Sequence, residues 1–183
     1  MSSDPDLDDI VRAARGDKRA QSSIIRRHVA KLHAVAVRMT GDPAAAEDIV
    51  QETFVRAWRV MAKWKPQAKF STWLHRVTLN LCYDHLRKRR DLTGKALPDH
   101  ADPAMTPVEA LDQAERVAAI EQAISGLPER QRAALVLCRL EGHTNIAAAE
   151  IMDVSVDALE SLLARARRSL KATLGLDKEA EHG

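Results

Sequence analysis

Apolar residues recur along this chain at the three-to-four-residue spacing of an α-helix and almost never at the alternating spacing of a strand. Leu7, Ile10, Val11 and Ala14 share one face over residues 5–15. Ile25, Val29, Leu32, Val35, Ala36 and Met39 do so over 18–40. Ala46, Ile49, Val50, Phe54, Trp58 and Met61 follow over 43–62, and Phe70, Trp73, Leu74, Val77 and Leu81 over 70–90. Four more helices are predicted over 107–125, 128–141, 144–152 and 155–174. The last is the clearest, with Val156, Leu159, Leu163, Ala166, Leu170 and Leu174 in one stripe. Gly16, Gly41, Gly94, Gly126, Gly142 and Gly175 fall between the periodic segments, where helices stop, and Pro43 and Pro128 sit where a first turn begins.

Residues 91–107 break the pattern. Asp91-Leu92-Thr93-Gly94 is followed by Pro98, Pro103 and Pro107 in an acidic stretch, which reads as a flexible linker. A segment this long without periodicity is unusual inside one compact domain. The expected architecture is therefore all-α: two small helical domains over 1–91 and 108–183, joined by a linker over 92–107.

Composition agrees. A chain of 183 residues has room for one ordinary domain or two small ones, and 45% hydrophobic residues are too many for a disordered chain. Met1-Ser2-Ser3-Asp4-Pro5-Asp6 is acidic and lacks the apolar stretch of a secretory signal. No apolar run approaches the ~20 residues of a membrane span. Cys82 and Cys138 are too few for a disulfide framework, so a cytoplasmic location is expected.

The net charge is only +2, but it is unevenly distributed. Asp42, Glu47, Asp48 and Glu52 have no basic neighbour over 42–52. Arg76, Arg87, Lys88, Arg89, Arg90 and Lys95 then outnumber Asp84 and Asp91. An acidic block over 96–116 follows, and a second basic one at Arg165, Arg167, Arg168 and Lys171. Two basic blocks separated by an acidic one suggest two polyanion-binding surfaces; charge alone would equally describe solvated helix faces.

Two segments give those blocks a chemistry. Thr144 to Arg168 reads as a helix-turn-helix. Ala149 permits close approach, Asp153 occupies a turn that needs a left-handed residue, Val154 plugs the core, and Ser155 caps the next helix. That helix would expose Asp157, Ala158, Glu160, Ser161, Ala164, Arg165 and Arg168 to a major groove. Its basic end would hold phosphates, and its start would read bases. The other segment holds all six aromatics: Phe54, Trp58, Trp64, Phe70, Trp73 and Tyr83, interleaved with Lys63, Lys65 and Lys69. Phe54, Trp58 and Trp73 lie on apolar stripes and read as core, whereas Trp64, Phe70 and Tyr83 are candidates for stacking on unpaired bases. Seven dispersed glycines make no phosphate loop, and no nucleophile elbow or zinc-protease motif occurs, so an enzyme is not expected. Cys82 and His85, with His75, have poor metal spacing; neither metal nor cofactor is expected.

Asp42-Pro43-Ala44-Ala45-Ala46-Glu47-Asp48-Ile49-Val50-Gln51-Glu52-Thr53-Phe54 resembles region 2 of bacterial sigma factors. Phe70-Ser71-Thr72-Trp73-Leu74-His75-Arg76-Val77-Thr78-Leu79-Asn80, with Asp84 and Arg87, continues the likeness, and Leu127-Pro128-Glu129-Arg130-Gln131-Arg132 resembles the opening of region 4. Together they are similar to the two-domain extracytoplasmic-function class of the sigma-70 family, over nearly the whole chain and in the right order. The resemblance implies a factor that binds core RNA polymerase through the β′ clamp helices and the β flap and directs initiation at promoter DNA, with no small-molecule substrate. It implies that Asp48, Gln51 and Glu52 face β′, one helix presenting them at i, i+3 and i+4. It implies −10 contacts by Trp64, Lys65, Lys69, Phe70, Asn80, Asp84 and Arg87, with Arg76, Lys88 and Arg90 on nearby phosphates. It places −35 contacts on Ser155, Asp157, Ala158, Glu160, Ser161, Arg165 and Arg168. Many relatives have a glycine in the region 4 turn and a Lys and an Arg early in the recognition helix; here Asp153, Glu160 and Leu162 stand there, so the −35 sequence does not carry over. An anti-sigma factor, often membrane-bound in this class, is the further implied partner, covering faces around 43–62 and 145–163, and a stress response is the implied setting. Without the resemblance, the same residues fit a helical DNA-binding regulator or a protein-binding adaptor.

Overall fold

A computed structural model describes residues 4–65, 68–93 and 112–176. Eight α-helices and no strand occur among them: α1 (Leu7–Ala14), α2 (Lys18–Thr40), α3 (Pro43–Met61), α4 (Phe70–Thr93), α5 (Gln113–Ser125), α6 (Glu129–Leu135), α7 (Asn145–Met152) and α8 (Val156–Thr173). A short π-helical segment, Val136–Leu140, prolongs α6, where the sequence pattern predicts one continuous helix over 128–141. Most of the linker expected over 92–107, and the start of the helix expected over 107–125, lie outside the described residues.

Helix starts follow local capping chemistry. The Asp17 carboxylate accepts from the Arg19 and Ala20 amides, Asp42 from Ala44 and Ala45, Thr144 from Ala147, and Ser155 from Ala158. Each satisfies amide donors that the first turn leaves without an intrahelical partner. Two helices end in the left-handed region. Gly41 closes α2 at φ 67°, and Asp153 closes α7 at φ 55°, a conformation its short polar side chain tolerates better than a branched one would.

The first bundle packs α2, α3 and α4 together with α1 laid across α2 and α3. Ile24, Leu32, Leu74 and Phe70 are fully buried, and the Thr53 and Thr78 hydroxyls pair at 3.1 Å where α3 meets α4. The second bundle sets α6 and α7 against α8 through Ala148, Leu159 and Leu163. Ala149 is buried where α7 approaches its neighbours, as its small side chain predicts, and Ala148 is buried beside it.

The two bundles share one continuous apolar core, with α7 packed on α4 and the π segment against α2. Polar contacts seal the joint. Arg132, 3% exposed, donates from Nη1 to the Met39 carbonyl at 2.6 Å, and from Nη2 to the Leu127 carbonyl at 3.1 Å and the Ser125 carbonyl. Arg38 pairs with Glu141, and Arg90 lies 3.4 Å from Glu129. The His75 and His143 rings meet edge-to-face with centroids 4.8 Å apart.

His75 is 2% exposed; Nδ1 contacts the Ser71 carbonyl at 2.8 Å, while Nε2 has no protein hydrogen-bond partner. Burial pushes its pKa down to about 4; the Ser71 contact opposes that shift, and the nearby charges of His143, His28 and Lys31 add to it. Burial also lowers the pKa of His143. The folded state thus binds fewer protons here than the unfolded chain, whose histidine titrates near 6.5. Stability is complete above that value and falls as pH drops from 6.5 toward 4. Between pH 7 and pH 5 the expected loss from His75 is about 2 kcal/mol. Urea titrations at the two pH values should show it, and His75→Gln should flatten the dependence.

Candidate nucleic-acid interface

An acidic groove lies between α3 and α4. Asp42, Ala44, Ala45, Asp48, Ile49 and Glu52 line one side and Leu81 and His85 the other, around a volume of about 400 Å³. Asp48 is exposed, while Glu52 is half-buried and accepts from Arg56 Nε at 2.8 Å, one turn along the helix. Gln51 is exposed but does not line the groove. Of the three residues grouped by helical spacing, the structure therefore brings Asp48 and Glu52 to one depression. An apolar floor with a carboxylate rim suits a helix carrying apolar and basic side chains.

The turn between α3 and α4 carries the aromatic and basic cluster. Trp64, Phe70 and Trp73 form one stack, with Trp64 edge-on to Phe70 at 5.1 Å and to Trp73 at 5.7 Å. Phe70 is 0% exposed, so as folded it packs the core and cannot stack on a base; this corrects its place among the expected contacts. Its position, one helical step from Trp73 and Leu74, is also the start of the α4 core stripe, which explains the burial. Trp64 is half-buried, and Lys65 and Lys69 are exposed. Tyr83 is half-buried, and burial raises its pKa.

Farther along α4, Asn80, Arg87 and Lys88 are exposed, and Asp84 accepts from Arg87 at 2.8 Å. Arg76 donates to the Glu150 carbonyl at the end of α7 and lies 3.8 Å from the Asp153 carboxylate. In this arrangement its guanidinium is held by the second bundle, a contact that helix spacing within α4 could not reveal.

In the second bundle Ser155, Asp157, Ala158, Glu160, Ser161, Arg165 and Arg168 are all exposed on α8. Ser155 is occupied as the helix cap, and Glu160 accepts from Asn145 Nδ2 at 3.2 Å, tying α7 to α8. Leu162 is half-buried on the inner side. The outward face therefore begins acidic and ends basic.

No cluster of three or more His, Cys, Asp or Glu side chains able to hold a metal occurs among the described residues. Burial pushes the Cys82 thiol up to about 12, so it is a protonated core side chain at neutral pH. No described helix is long and apolar enough to cross a membrane.

Fold and site define a two-module helical protein: an acidic groove and an aromatic, basic edge on the first module, a helix-turn-helix in the second. Comparison with known families assigns both. Residues 24–91 match the family model "Sigma-70 region 2", and residues 118–170 match "Sigma-70, region 4". The chain is 34% identical over 165 residues to the ECF RNA polymerase sigma factor SigE of Mycolicibacterium smegmatis, covering 86% of this chain and 64% of that protein, a little under two thirds of its length. It is 31% identical over 192 residues to the RNA polymerase sigma-H factor of Pseudomonas aeruginosa, covering 98% of this chain and 100% of that one. Among solved structures, CnrH in complex with the cytosolic domain of CnrY superposes with a TM-score of 0.71 at 28% identity, covering 94% of this chain and 98% of that one. The chain belongs to the sigma-70 family, in the extracytoplasmic-function class of RNA polymerase sigma factors, which are transcription initiation factors.

Proposed function

We propose that this chain binds core RNA polymerase through the α3–α4 groove, opens promoters at the −10 element with the α3–α4 turn and α4, and reads a −35 element with α8. The observation that carries the reading is the placement of Asp48 and Glu52 on one groove, with an exposed Lys65 and Lys69 on the neighbouring turn of the same bundle. One bundle thereby offers a protein-binding face and a nucleic-acid edge. Residues 1–91 and 108–183 act as the two modules, and 92–107 spans between promoter elements. Tethering makes the second DNA contact effectively intramolecular. Base capture at the −10 edge offsets an unstacking cost of a few kcal/mol per step.

The partners that follow are core polymerase, promoter DNA and an anti-sigma factor. The last is supported by the solved CnrH structure, whose partner is the cytosolic domain of CnrY. The chain acts as a non-enzymatic factor, in the cytoplasm, in a stress response. Arg76 must leave Glu150 and Asp153 before it can hold a promoter phosphate. Run-off transcription with core enzyme and genomic templates tests the reading: discrete start sites are expected with the chain and none without it. Initiation only when another sigma factor is supplied would instead identify a regulator.

The α8 contacts have their own test. Arg165 and Arg168 would hold phosphates, so Arg165→Ala and Arg168→Ala should each weaken −35 binding for most sequences alike and reduce the salt slope by about one unit. A titration of holoenzyme binding against salt concentration reads both quantities, and unchanged slopes would remove these residues from the interface.

A further inference from the structure

Among the described residues, no side chain close in sequence caps the first turn of α4. Lys69 stands at the capping position and its side chain has no oxygen to offer, yet the Phe70 amide is satisfied. Its acceptor is Asp4 Oδ2, at 2.6 Å and 66 residues away in sequence. Asp4 is itself fixed: Oδ1 accepts from the Asp6 amide at 3.0 Å, and its carbonyl accepts from Leu7 at 3.2 Å. The next anchor is deeper. Asp6 is 0% exposed; it meets His28 Nε2 at 2.8 Å and accepts from Arg27, which also donates to Asp9 at 2.9 Å. Burial alone would raise the Asp6 pKa, but the contacts to His28 and Arg27 outweigh it and hold it below the ordinary value, so the anchor is ionised at neutral pH. α1 then runs under the other end of the α3–α4 turn, where Leu7, Ile10, Val11 and Ala14 line an apolar groove with Met61, Ala62 and Trp64. The segment over residues 4–14 thus bonds the α4 flank of the turn at Phe70 and shares a groove with Trp64 on the α3 flank. It lies before residue 24, where the region 2 match begins.

We propose that residues 4–14 form a strut that fixes the first turn of α4, where the −10 contacts begin, with Asp4 as a positioning residue that caps α4 from a distance. Asp4 touches no DNA in this scheme. It fixes the first turn of α4, and through it the direction in which Lys69 leaves the bundle. The inference rests on the assignment of Lys65, Lys69 and Asn80 to the −10 element.

The test uses holoenzyme reconstituted from core enzyme and full-length chain, on a promoter located by run-off mapping, prepared both as duplex and with its −10 region pre-melted. Losing one cap contact loosens the first turn of α4 by about fivefold. Asp4→Ala is therefore expected to weaken binding of the pre-melted template about fivefold, with core affinity and −35 duplex binding unchanged. Hydrogen exchange at the Phe70 amide of the free chain should rise by a similar factor. Asp112→Ala is the control, since it removes a carboxylate cap from α5, where Asp112 accepts from the Glu115 amide, without touching residues 4–14 or the turn. Equal losses in Asp4→Ala and Asp112→Ala would overturn the strut, leaving a general stability effect. Unchanged pre-melted binding in Asp4→Ala would also overturn it, provided Lys69→Ala and Asn80→Ala weaken that binding. If Lys69→Ala and Asn80→Ala have no effect either, the −10 assignment itself fails, and the strut as defined here falls with it.

Discussion

Asp48→Ala combined with Glu52→Ala should reduce affinity for core polymerase on the order of 100-fold while the chain stays folded. Both carboxylates rim the same groove, whose floor is Ala45, Ile49 and Leu81, so both would be desolvated together when a helix seats there. Truncating charges that become buried on binding costs ~2–5 kcal/mol, much of it from the partner cation left unpaired. The cost to the free chain is small. Asp48 is exposed, and the Glu52–Arg56 pair on one helix face is worth only a few tenths of a kcal/mol. Co-purification with core enzyme should fail, while circular dichroism and thermal unfolding remain close to those of the unmodified chain. Gln51→Ala supplies the contrast. Helical spacing groups Gln51 with the other two, but the groove does not include it, so its loss should be several-fold at most. A Gln51→Ala defect as deep as that of the double variant would place the contact on the outer face of α3 instead.

That contrast shows where the sequence was readable. Signals acting within one helical turn were legible. Ser155 announces a helix start as a cap and Pro43 as a first-turn residue, because such signals reach only two or three residues, and α8 and α3 begin there. Asp153 was legible as a left-handed turn residue for the same local reason. The acidic rim was partly legible, since spacing along one helix shows which residues share a side but not which neighbour completes a groove. Contacts across the chain left no local trace. Phe70 reads equally as core or as a stacking ring until the position of α4 against the bundle is known. The Asp4 carboxylate and the Phe70 amide are 66 residues apart, and no periodicity links them. The π segment after α6 is a tertiary adjustment within an apolar run that by itself reads as ordinary helix. The resemblance puts Arg76 on promoter phosphates, and its bond to the Glu150 carbonyl at the end of α7 is a contact that no spacing within α4 reveals.

The joint between the bundles supplies the second large effect: Arg132→Ala should destabilise the chain by about 3 kcal/mol and separate the two modules. Arg132 belongs to α6, but its acceptors lie elsewhere. One is the Met39 carbonyl in the last turn of α2; the others are the Leu127 and Ser125 carbonyls around the end of α5. Last-turn carbonyls have no intrahelical donor and carry the negative end of the helix dipole, so a planar cation with several N–H groups suits both ends at once. Burial disfavours the charge and lowers its pKa, yet a guanidinium stays protonated at any pH where the protein folds. The cost of burying it is offset by these hydrogen bonds, and truncation forfeits the bonds while leaving buried carbonyls unsatisfied. Arg132→Lys should recover little, because an ammonium cannot fork between Met39 and Leu127. Once the joint loosens, Arg76–Asp153 is too exposed to hold it, and in Arg38–Glu141 and Arg90–Glu129 the guanidinium stays 40% exposed, so each pair adds little. Small-angle scattering should then report a larger radius of gyration for Arg132→Ala, and urea unfolding should divide into two transitions. An unchanged radius with a single transition would show that the shared apolar core, from Leu74 and Leu79 to Ile151 and Leu159, holds the bundles together without the arginine.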